Sequence, residues 1–264
     1  MPTERLKWAS GPAELAALGL KSAELLFAPG QALSPRYEAL ESAEPGVRRA
    51  RFPLPGTSDV HGNLTGRPGA LGTGWVWLTA YSGDLRALLR ARWTAPRSAS
   101  RAEREWNLLC ALRARGVGTC EPLLVGARGS GLVSGHSFIL VREPEGAFPF
   151  PRWLRTDGHG AERALGLEAV ARALQQLLRS EIVLADLMPE DLLLTPSGSG
   201  ECEADAQGGL RKNKFPGVTF ARVAHGRFER TLDVRRRALE PLVRALAPLV
   251  SEGERAPFER ALLS

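Results

Sequence analysis

Alternating apolar and polar positions predict β-strands in the first part of the chain. Residues 47–54 follow the two-residue period of a strand, and residues 75–81 combine aromatic and β-branched side chains. A stretch rich in Gly, Pro and Asn joins them, which is typical of antiparallel neighbours. Residues 121–126 and 137–142 repeat the strand pattern on either side of a Gly/Ser turn. These four segments predict a small antiparallel sheet.

A strong helix is predicted between the second and third of these strands. Residues 100–115 carry apolar side chains at helical spacing, and Ser100 with Glu103 has the sequence pattern of a capping box. Gly116 follows as a helix stop. The sheet segments therefore enclose one long helix.

The pattern becomes mainly helical after about residue 150. Helices are predicted at residues 166–180 and 233–250, and a strand at residues 217–224. Residues 195–216 are rich in Ser, Gly and charged side chains, which indicates a polar insertion. Strands first and helices later are the order of an α+β protein.

We therefore predict an α+β fold with two lobes. A helical extension (residues 1–35, with a helix at 13–26) precedes an N-lobe of sheet and one long helix (residues 36–146). A helical C-lobe follows (residues 147–264), and the Pro-containing residues 142–152 form the hinge. Clefts between two such lobes are natural nucleotide sites.

Composition excludes several classes of function. The net charge is +6, but the arginines are dispersed along helical segments without interleaved aromatic residues, so no specific nucleic-acid binding is expected. The three cysteines and four histidines lack the spacing of disulfide frameworks or metal sites. No apolar run is long enough to span a bilayer, and charged residues interrupt the first 30 positions. We expect a cytoplasmic protein.

One loop carries candidate chemistry. In residues 181–194, Asp186 lies between apolar residues, with Pro189 three positions later and Asp191 five positions later. Phosphotransferases of the protein-kinase type place a proton-accepting Asp and a metal-binding residue at this spacing. The alternative is that Asp186 is a helix C-cap or turn residue before a buried strand, and that Asp191 is a surface turn residue stabilised by its own backbone.

Together with this loop, several segments resemble the lipopolysaccharide kinase (Kdo/WaaP, heptose kinase) family, a bacterial branch of the protein-kinase-like fold. The resemblance covers roughly residues 47–245. The segments that carry the resemblance are Leu85-Arg-Ala-Leu-Leu-Arg, Arg104-Glu-Trp-Asn-Leu-Leu, Arg115-Gly-Val-Gly-Thr-Cys-Glu-Pro-Leu, His136-Ser-Phe-Ile-Leu-Val-Arg-Glu and residues 184–194.

The resemblance implies ATP and Mg²⁺ as cofactors and a sugar hydroxyl of the lipid A core as substrate, at the cytoplasmic face of the inner membrane. It implies Asp186 as general base and Asp191 as metal ligand. It also implies Glu105 as the helix carboxylate that pairs with a phosphate-binding lysine.

The chain departs from the family pattern at two charged positions. Thr79 stands where the lysine is expected, and none of the four lysines lies in that strand. Arg222 stands where the second metal-binding Asp is expected, so it either replaces the missing charge near the phosphates or pairs with Asp186 or Asp191. The glycines between residues 56 and 69 lack Gly-x-Gly-x-x-Gly spacing. Thr79, Glu105 and Arg222 are thus the candidate nucleotide-contacting positions.

Two functions follow from the sequence. The first is a catalytically impaired pseudokinase that acts as a binding or regulatory protein, with a protein partner and without a required cofactor. The second is an active, divergent kinase that uses ATP and Mg²⁺, with Asp186 as base and a sugar or glycolipid substrate at the membrane surface. Loss of charged phosphate contacts favours the first, because phosphoryl transfer depends on electrostatic stabilisation.

Overall fold

Two compact units make up the chain. The sheet unit comprises residues 1–107 and 121–143, and the helical unit comprises residues 108–120 and 144–264. The structure is a computed structural model that describes residues 3–8, 23–27, 38–40, 46–53, 75–82, 100–130, 133–144, 146–156, 160–185, 187–195, 203–204, 210–211, 217–223 and 226–256.

The sheet unit is built on six antiparallel strands in the spatial order β1-β5-β6-β4-β3-β2. The four strands expected from the sequence are all present. The strands are β1 (Thr3–Trp8), β2 (Glu38–Leu40), β3 (Val47–Pro53), β4 (Trp75–Ser82), β5 (Glu121–Ser130) and β6 (Val133–Arg142).

One face of this sheet carries the apolar core. The short helix α1 (Glu24–Phe27) contacts this face, and the ring of Phe27 lies edge-on to Phe138 with 4.7 Å between centroids. The buried cluster comprises Leu26, Phe52, Val76, Leu78, Ala80, Leu123, Leu124, Phe138 and Leu140. Because side chains alternate along a strand, the residues between these positions project from the opposite face. Thr79 is one of them.

The N-terminal segment contains a strand that the sequence analysis missed. Strand β1 pairs with β5, and Leu6 is its contact with the core. Its sequence is mainly polar, because an edge strand of this kind needs few apolar positions. Of the helix expected at residues 13–26, the structure describes only the part within α1, and the rest lies outside the described residues. The segment at residues 85–90 that carries part of the resemblance and the glycines at 56–69 also lie outside them.

The long helix α2 (Arg101–Ala114) begins with the expected capping box. The backbone N–H of Ser100 donates to Oε2 of Glu103 at 2.7 Å, and the backbone N–H of Glu103 donates to Oγ of Ser100 at 3.2 Å. These two bonds satisfy donors that a helix start leaves unpaired. The helix ends at Ala114 and is followed by Gly116, whose φ of 75° is a left-handed conformation that favours glycine. The start of α2 is therefore fixed by local sequence.

The described part of the helical unit combines helices with short strands. Its main helices are α3 (Phe150–Thr156), α4 (Gly160–Arg179) and α5 (Leu232–Leu246), and residues 252–256 are also helical. Short 3-10 helices cover Pro189–Asp191 and Ala247–Leu249. The strands are β7 (Phe148–Pro149), β8 (Ile182–Val183), β9 (Leu192–Thr195), β10 (Glu203–Ala204), β11 (Leu210–Arg211), β12 (Gly217–Phe220) and β13 (Arg227–Phe228), which form the sheets β12-β9-β7, β13-β8 and β10-β11.

Leucines at helical spacing hold this unit together. On α4 the residues Leu167, Leu174 and Leu177 are buried, and on α5 the residues Leu239 and Leu242 are buried. The spacings of three and seven residues place each set on one helix face. The two helices predicted from the sequence are thus confirmed, although α5 ends at Leu246 rather than at residue 250. None of the helices in the described parts of the chain has the length and apolar character that crossing a membrane requires.

Arg163 joins the start of α4 to the C-terminal segment. Its Nε donates to Oε1 of Glu254 at 2.6 Å and its Nη2 donates to Oε2 at 3.2 Å. The guanidinium also donates to the backbone carbonyls of Leu154 and Leu249 at 3.3 and 3.1 Å. Hydrogen bonding by Arg163, assisted by Ser251, lowers the pKa of the Glu254 carboxyl to about 2.

Replacing Glu254 with glutamine is expected to remove an acid-sensitive part of the stability. The folded pKa of about 2 lies below the ordinary value of 4.5, so the stabilisation is present above pH 4.5 and is lost as the pH falls through 2. The two side chains are about a quarter exposed (24% and 26%), so screening leaves about 1–2 kcal/mol of the ideal linkage energy. Urea unfolding at pH 7 and pH 2.5 measures the difference between wild type and Glu254→Gln.

The Glu254→Gln difference is expected to be present at pH 7 and much smaller at pH 2.5. The control is Glu240→Gln, which removes the exposed pair with Arg244 on α5. Exposed pairs of this spacing contribute about 0.2–0.5 kcal/mol. A Glu254→Gln effect that is equal at both pH values would contradict the assignment.

Candidate functional site

The loop with the candidate chemistry is anchored on both sides by buried residues. It follows β8 and runs through the 3-10 helix Pro189–Asp191 into β9. Leu184, Leu187 and Pro189 are buried, whereas the side chain of Met188 is about half exposed (49%). Asp186 lies outside the described residues, so its role as general base stays a prediction.

Asp191 uses its carboxylate within its own turn. The backbone N–H of Met188 donates to Oδ2 of Asp191 at 2.9 Å, and the backbone N–H of Asp191 donates to the carbonyl of Met188 at 2.9 Å. This is the local bonding by which aspartate stabilises tight turns. Asp191 therefore serves a structural purpose whatever else it binds.

The pairing of β12 with β9 brings Arg222 to Asp191. Phe220 is opposite Leu192 in the antiparallel register, and the backbone N–H of Ala221 donates to the carbonyl of Asp191 at 2.8 Å. Nη2 of Arg222 lies 3.1 Å from Oδ2 of Asp191, and the two side chains are 27% and 16% exposed. From the sequence, Asp186 and Asp191 are the partners considered for Arg222. Asp191 is the one that lies within the described residues, and it forms an ion pair with Arg222.

The described residues at this place do not fit a magnesium ion. Mg²⁺ requires a near-octahedral shell of oxygen ligands, and it is repelled by a neighbouring cation. Here Oδ2 of Asp191 already accepts from a backbone amide and lies 3.1 Å from the guanidinium nitrogen of Arg222. Within the described ranges no group of three or more His, Cys, Asp or Glu side chains could hold a metal ion. The positive charge next to Asp191 belongs to Arg222.

The Gly-Val-Gly segment that carried part of the resemblance positions this ion pair. A Cβ on Gly118 would lie 2.2 Å from the backbone carbonyl oxygen of Val218, a distance that side chains do not adopt. The carbonyl of Gly118 accepts from the backbone N–H of Phe220 at 2.9 Å, and Thr119 forms a bridge with Phe220. Glycine at 118 thus lets β12 approach closely, and β12 leads directly to Arg222.

The lysine position and its helix partner lie on the polar side of the sheet unit. Thr79 is half-buried and lies two residues before Tyr81 on the same face of β4. The hydroxyl of Tyr81 donates to Oε2 of Glu105, and both side chains are buried. The expected lysine–Glu105 pair is therefore replaced, among the described residues, by a bond from a neutral hydroxyl. Sequence reasoning missed Tyr81, although its position two residues after Thr79 was a signal.

The environment of Tyr81 keeps the phenol protonated. Burial raises the pKa of Tyr81 well above its ordinary value, and the charge and hydrogen bond of Glu105 raise it further. The guanidiniums of Arg101 and Arg49 act in the opposite direction. The guanidinium carbon of Arg101 lies 4.7 Å from the centroid of the Tyr81 ring. Tyr81 is thus a donor to Glu105 with two cations nearby.

Another buried carboxylate, which the sequence analysis did not single out, lies at the end of the sheet unit. Nε1 of Trp77 donates to Oε2 of Glu143 at 2.6 Å, and the backbone N–H of Glu143 donates to the carbonyl of Trp75 at 2.9 Å. Burial raises the pKa of the Glu143 carboxyl, although the Trp77 bond and the charge of Arg51 oppose the rise. These bonds fix the polar side of β4 at its beginning.

Comparisons with known proteins agree with the resemblance found in the sequence. The family model "Lipopolysaccharide kinase (Kdo/WaaP) family" matches residues 73–206, which is just over half of the chain and includes Thr79, Glu105, Asp186 and Asp191. The solved structure "WaaP in complex with acyl carrier protein" is similar with a TM-score of 0.60 and 17% identity, over 98% of this chain and 88% of that chain. No curated protein matches the chain.

The structural similarity confirms the α+β, protein-kinase-like fold. The family match includes Thr79 and Glu105 of the sheet unit and the loop before β9. It ends before Arg222. The chain belongs to the lipopolysaccharide kinase (Kdo/WaaP) family.

Proposed function

We propose that this chain is a catalytically impaired member of its family, a pseudokinase that acts as a binding or regulatory protein. The observation that carries the proposal is the ion pair between Arg222 and Asp191. Asp191 is the position that the family resemblance assigns to a metal ligand, and a guanidinium occupies one of its oxygens. Mg²⁺ would supply the charge that bridges the phosphate oxygens in a kinase, and the described residues do not fit it.

The polar side of the sheet unit supports the same proposal. A phosphate-binding lysine at position 79 would need Glu105 to orient it, and Glu105 accepts instead from Tyr81. A threonine has no charge to neutralise the phosphates. Removing one electrostatic contact from a transition state lowers turnover by about 10²–10³-fold. Loss of the metal charge and of a lysine that Glu105 orients is enough to suppress phosphoryl transfer, even where another cation binds the phosphates.

A divergent active kinase is the second candidate. Its supporting observation is the retained Asp186 in a loop that Leu184 and Leu187 anchor from both sides. In this alternative Asp186 accepts the proton of a sugar hydroxyl on a lipopolysaccharide-type glycolipid, and ATP donates the phosphate. The substrate would be met at the inner-membrane surface of a bacterial cell.

A chain with impaired kinase activity is expected to act on a binding partner rather than on a substrate. The similar WaaP structure holds an acyl carrier protein, according to its title. We infer that a protein partner in the cytoplasm, or peripherally at the inner membrane, is the target of this chain. The loss of charged phosphate contacts leaves the fold intact and available for such an interaction.

A phosphate-transfer assay tests the proposal. Wild type is incubated with γ-labelled ATP, Mg²⁺ or Mn²⁺, and a Kdo-containing lipid A acceptor, next to Asp186→Asn as the matched background. The expected result is no incorporation above that of Asp186→Asn. Label transfer that requires Asp186 would overturn the pseudokinase and establish the second candidate.

A further inference from the structure

The register of β3 and β4 places a cation beside the missing lysine. Arg49 is directly opposite Thr79, and Arg51 is directly opposite Trp77. Opposed residues in antiparallel strands project from the same face, with Cβ atoms about 5 Å apart. The Arg49 side chain therefore starts one strand away from the place where a lysine at 79 would start.

This face of the two strands is a row of half-buried side chains. Trp75, Trp77 and Thr79 on β4, and Arg49 and Arg51 on β3, are all partly exposed. On the other face, Val76, Leu78 and Ala80 of β4 and Phe52 of β3 are buried in the apolar core. Neither arginine is thus needed to fill the core.

Arg51 has a structural assignment within this row. Its Nε donates to Oε2 of Glu38 on β2 at 2.7 Å, and its guanidinium carbon lies 4.1 Å from the ring centroid of Trp75. These contacts hold Arg51 along the outer strands. Arg49 has different neighbours. Its charge lowers the pKa of the Tyr81 phenol, and that phenol donates to the carboxylate of Glu105.

We infer that Arg49 takes the place of the absent lysine and binds phosphate groups of a polyphosphate ligand such as a nucleoside triphosphate, without a divalent metal ion. Arginine suits this use because its planar guanidinium donates two parallel hydrogen bonds to phosphate oxygens. The inference rests on the proposed function and names the class of ligand that an impaired kinase of this kind retains. In this arrangement the phosphate-binding cation lies on β3, whereas the family resemblance places a lysine on β4.

Calorimetric titration in EDTA tests this inference with two probes, ATP and inorganic triphosphate. Arg49→Gln is compared with Arg48→Gln, which removes the same charge from the adjacent exposed residue on the other side of the strand. We expect Arg49→Gln to weaken binding of at least one probe by tenfold or more, and Arg48→Gln to change it less than threefold. If triphosphate binds as tightly as ATP, the phosphates are the recognised group. If ATP binds and triphosphate does not, recognition also requires the nucleoside.

A second variant separates a lost contact from a damaged fold. In Arg49→Gln/Thr79→Lys the cation returns to β4, and binding is expected to recover to within about threefold of wild type, because the two Cβ atoms are close. Equal weakening by Arg48→Gln and Arg49→Gln, or wild type that binds neither probe, would overturn the inference. Either result leaves the phosphate-transfer assay, and with it the proposed function, unaffected.

Discussion

Replacing Arg222 with aspartate is expected to make the stability of the protein depend on divalent cations. The substitution puts a second carboxylate next to Asp191, from which the guanidinium is now 3.1 Å away. Two like charges about 4 Å apart repel by about 4 kcal/mol at an effective dielectric constant near 20. Relaxation of the new side chain reduces this, so we expect a loss of about 2–3 kcal/mol in EDTA.

Mg²⁺ or Mn²⁺ is expected to reverse this loss. Paired carboxylates are the oxygen ligands that these ions prefer, and an ion that binds only the folded state raises its stability by mass action. Thermal melts of Arg222→Asp in EDTA and in 10 mM Mg²⁺ are the measurement. Wild type is expected to show no such difference.

The matched control for Arg222→Asp is Arg222→Gln. It removes the ion pair without adding a carboxylate, so its melting temperature is expected to fall without any response to Mg²⁺. If Arg222→Asp also fails to respond, the position of Arg222 is not equivalent to that of a metal-binding residue. Arg222 would then not stand in the place of a metal-binding carboxylate.

Replacing Tyr81 with phenylalanine is expected to destabilise the sheet unit by about 2–3 kcal/mol. The change removes a donor from the carboxylate of Glu105, which is only 6% exposed. Loss of one partner from a buried charged group costs more than a typical hydrogen bond, about 1–3 kcal/mol or above. Urea unfolding at pH 7 measures the difference, because the raised pKa of Tyr81 keeps the wild-type phenol protonated there.

A lysine at position 79 is expected to rescue this variant. Thr79 and Tyr81 are two residues apart on one face of β4, about 7 Å, so an ammonium from position 79 reaches the same carboxylate. Tyr81→Phe/Thr79→Lys should recover at least half of the lost stability, whereas Thr79→Met in the same background should not. Equal effects of lysine and methionine would show that Glu105 does not accept from this face.

Local sequence predicted the parts of the fold that depend on local signals. The capping box at Ser100 and the alternation in β4 are both present as expected, because each is decided by residues close in the chain. The two-residue strands β7, β8 and β13 were not predicted. Their short pairings exist only because other elements bring the chain segments together.

The residues of the candidate site could be predicted from the sequence, but most of their contacts could not. Thr79, Glu105, Asp191 and Arg222 could be chosen from spacing and resemblance, since motif positions survive in the sequence. The ion pair of Asp191 with Arg222 remained one of several options, because it depends on the β9–β12 register. The bond from Tyr81 to Glu105 was missed, because it depends on where α2 lies over the sheet.

The magnesium dependence of nucleotide binding by the wild-type chain is the most direct test of the central claim that a guanidinium stands in the place of the metal. ATP is titrated in excess Mg²⁺ and in EDTA, and the two dissociation constants are compared. We expect equal affinity for ATP in the two conditions, or weaker binding when Mg²⁺ neutralises the phosphates. Binding at least tenfold tighter with Mg²⁺ would contradict that claim.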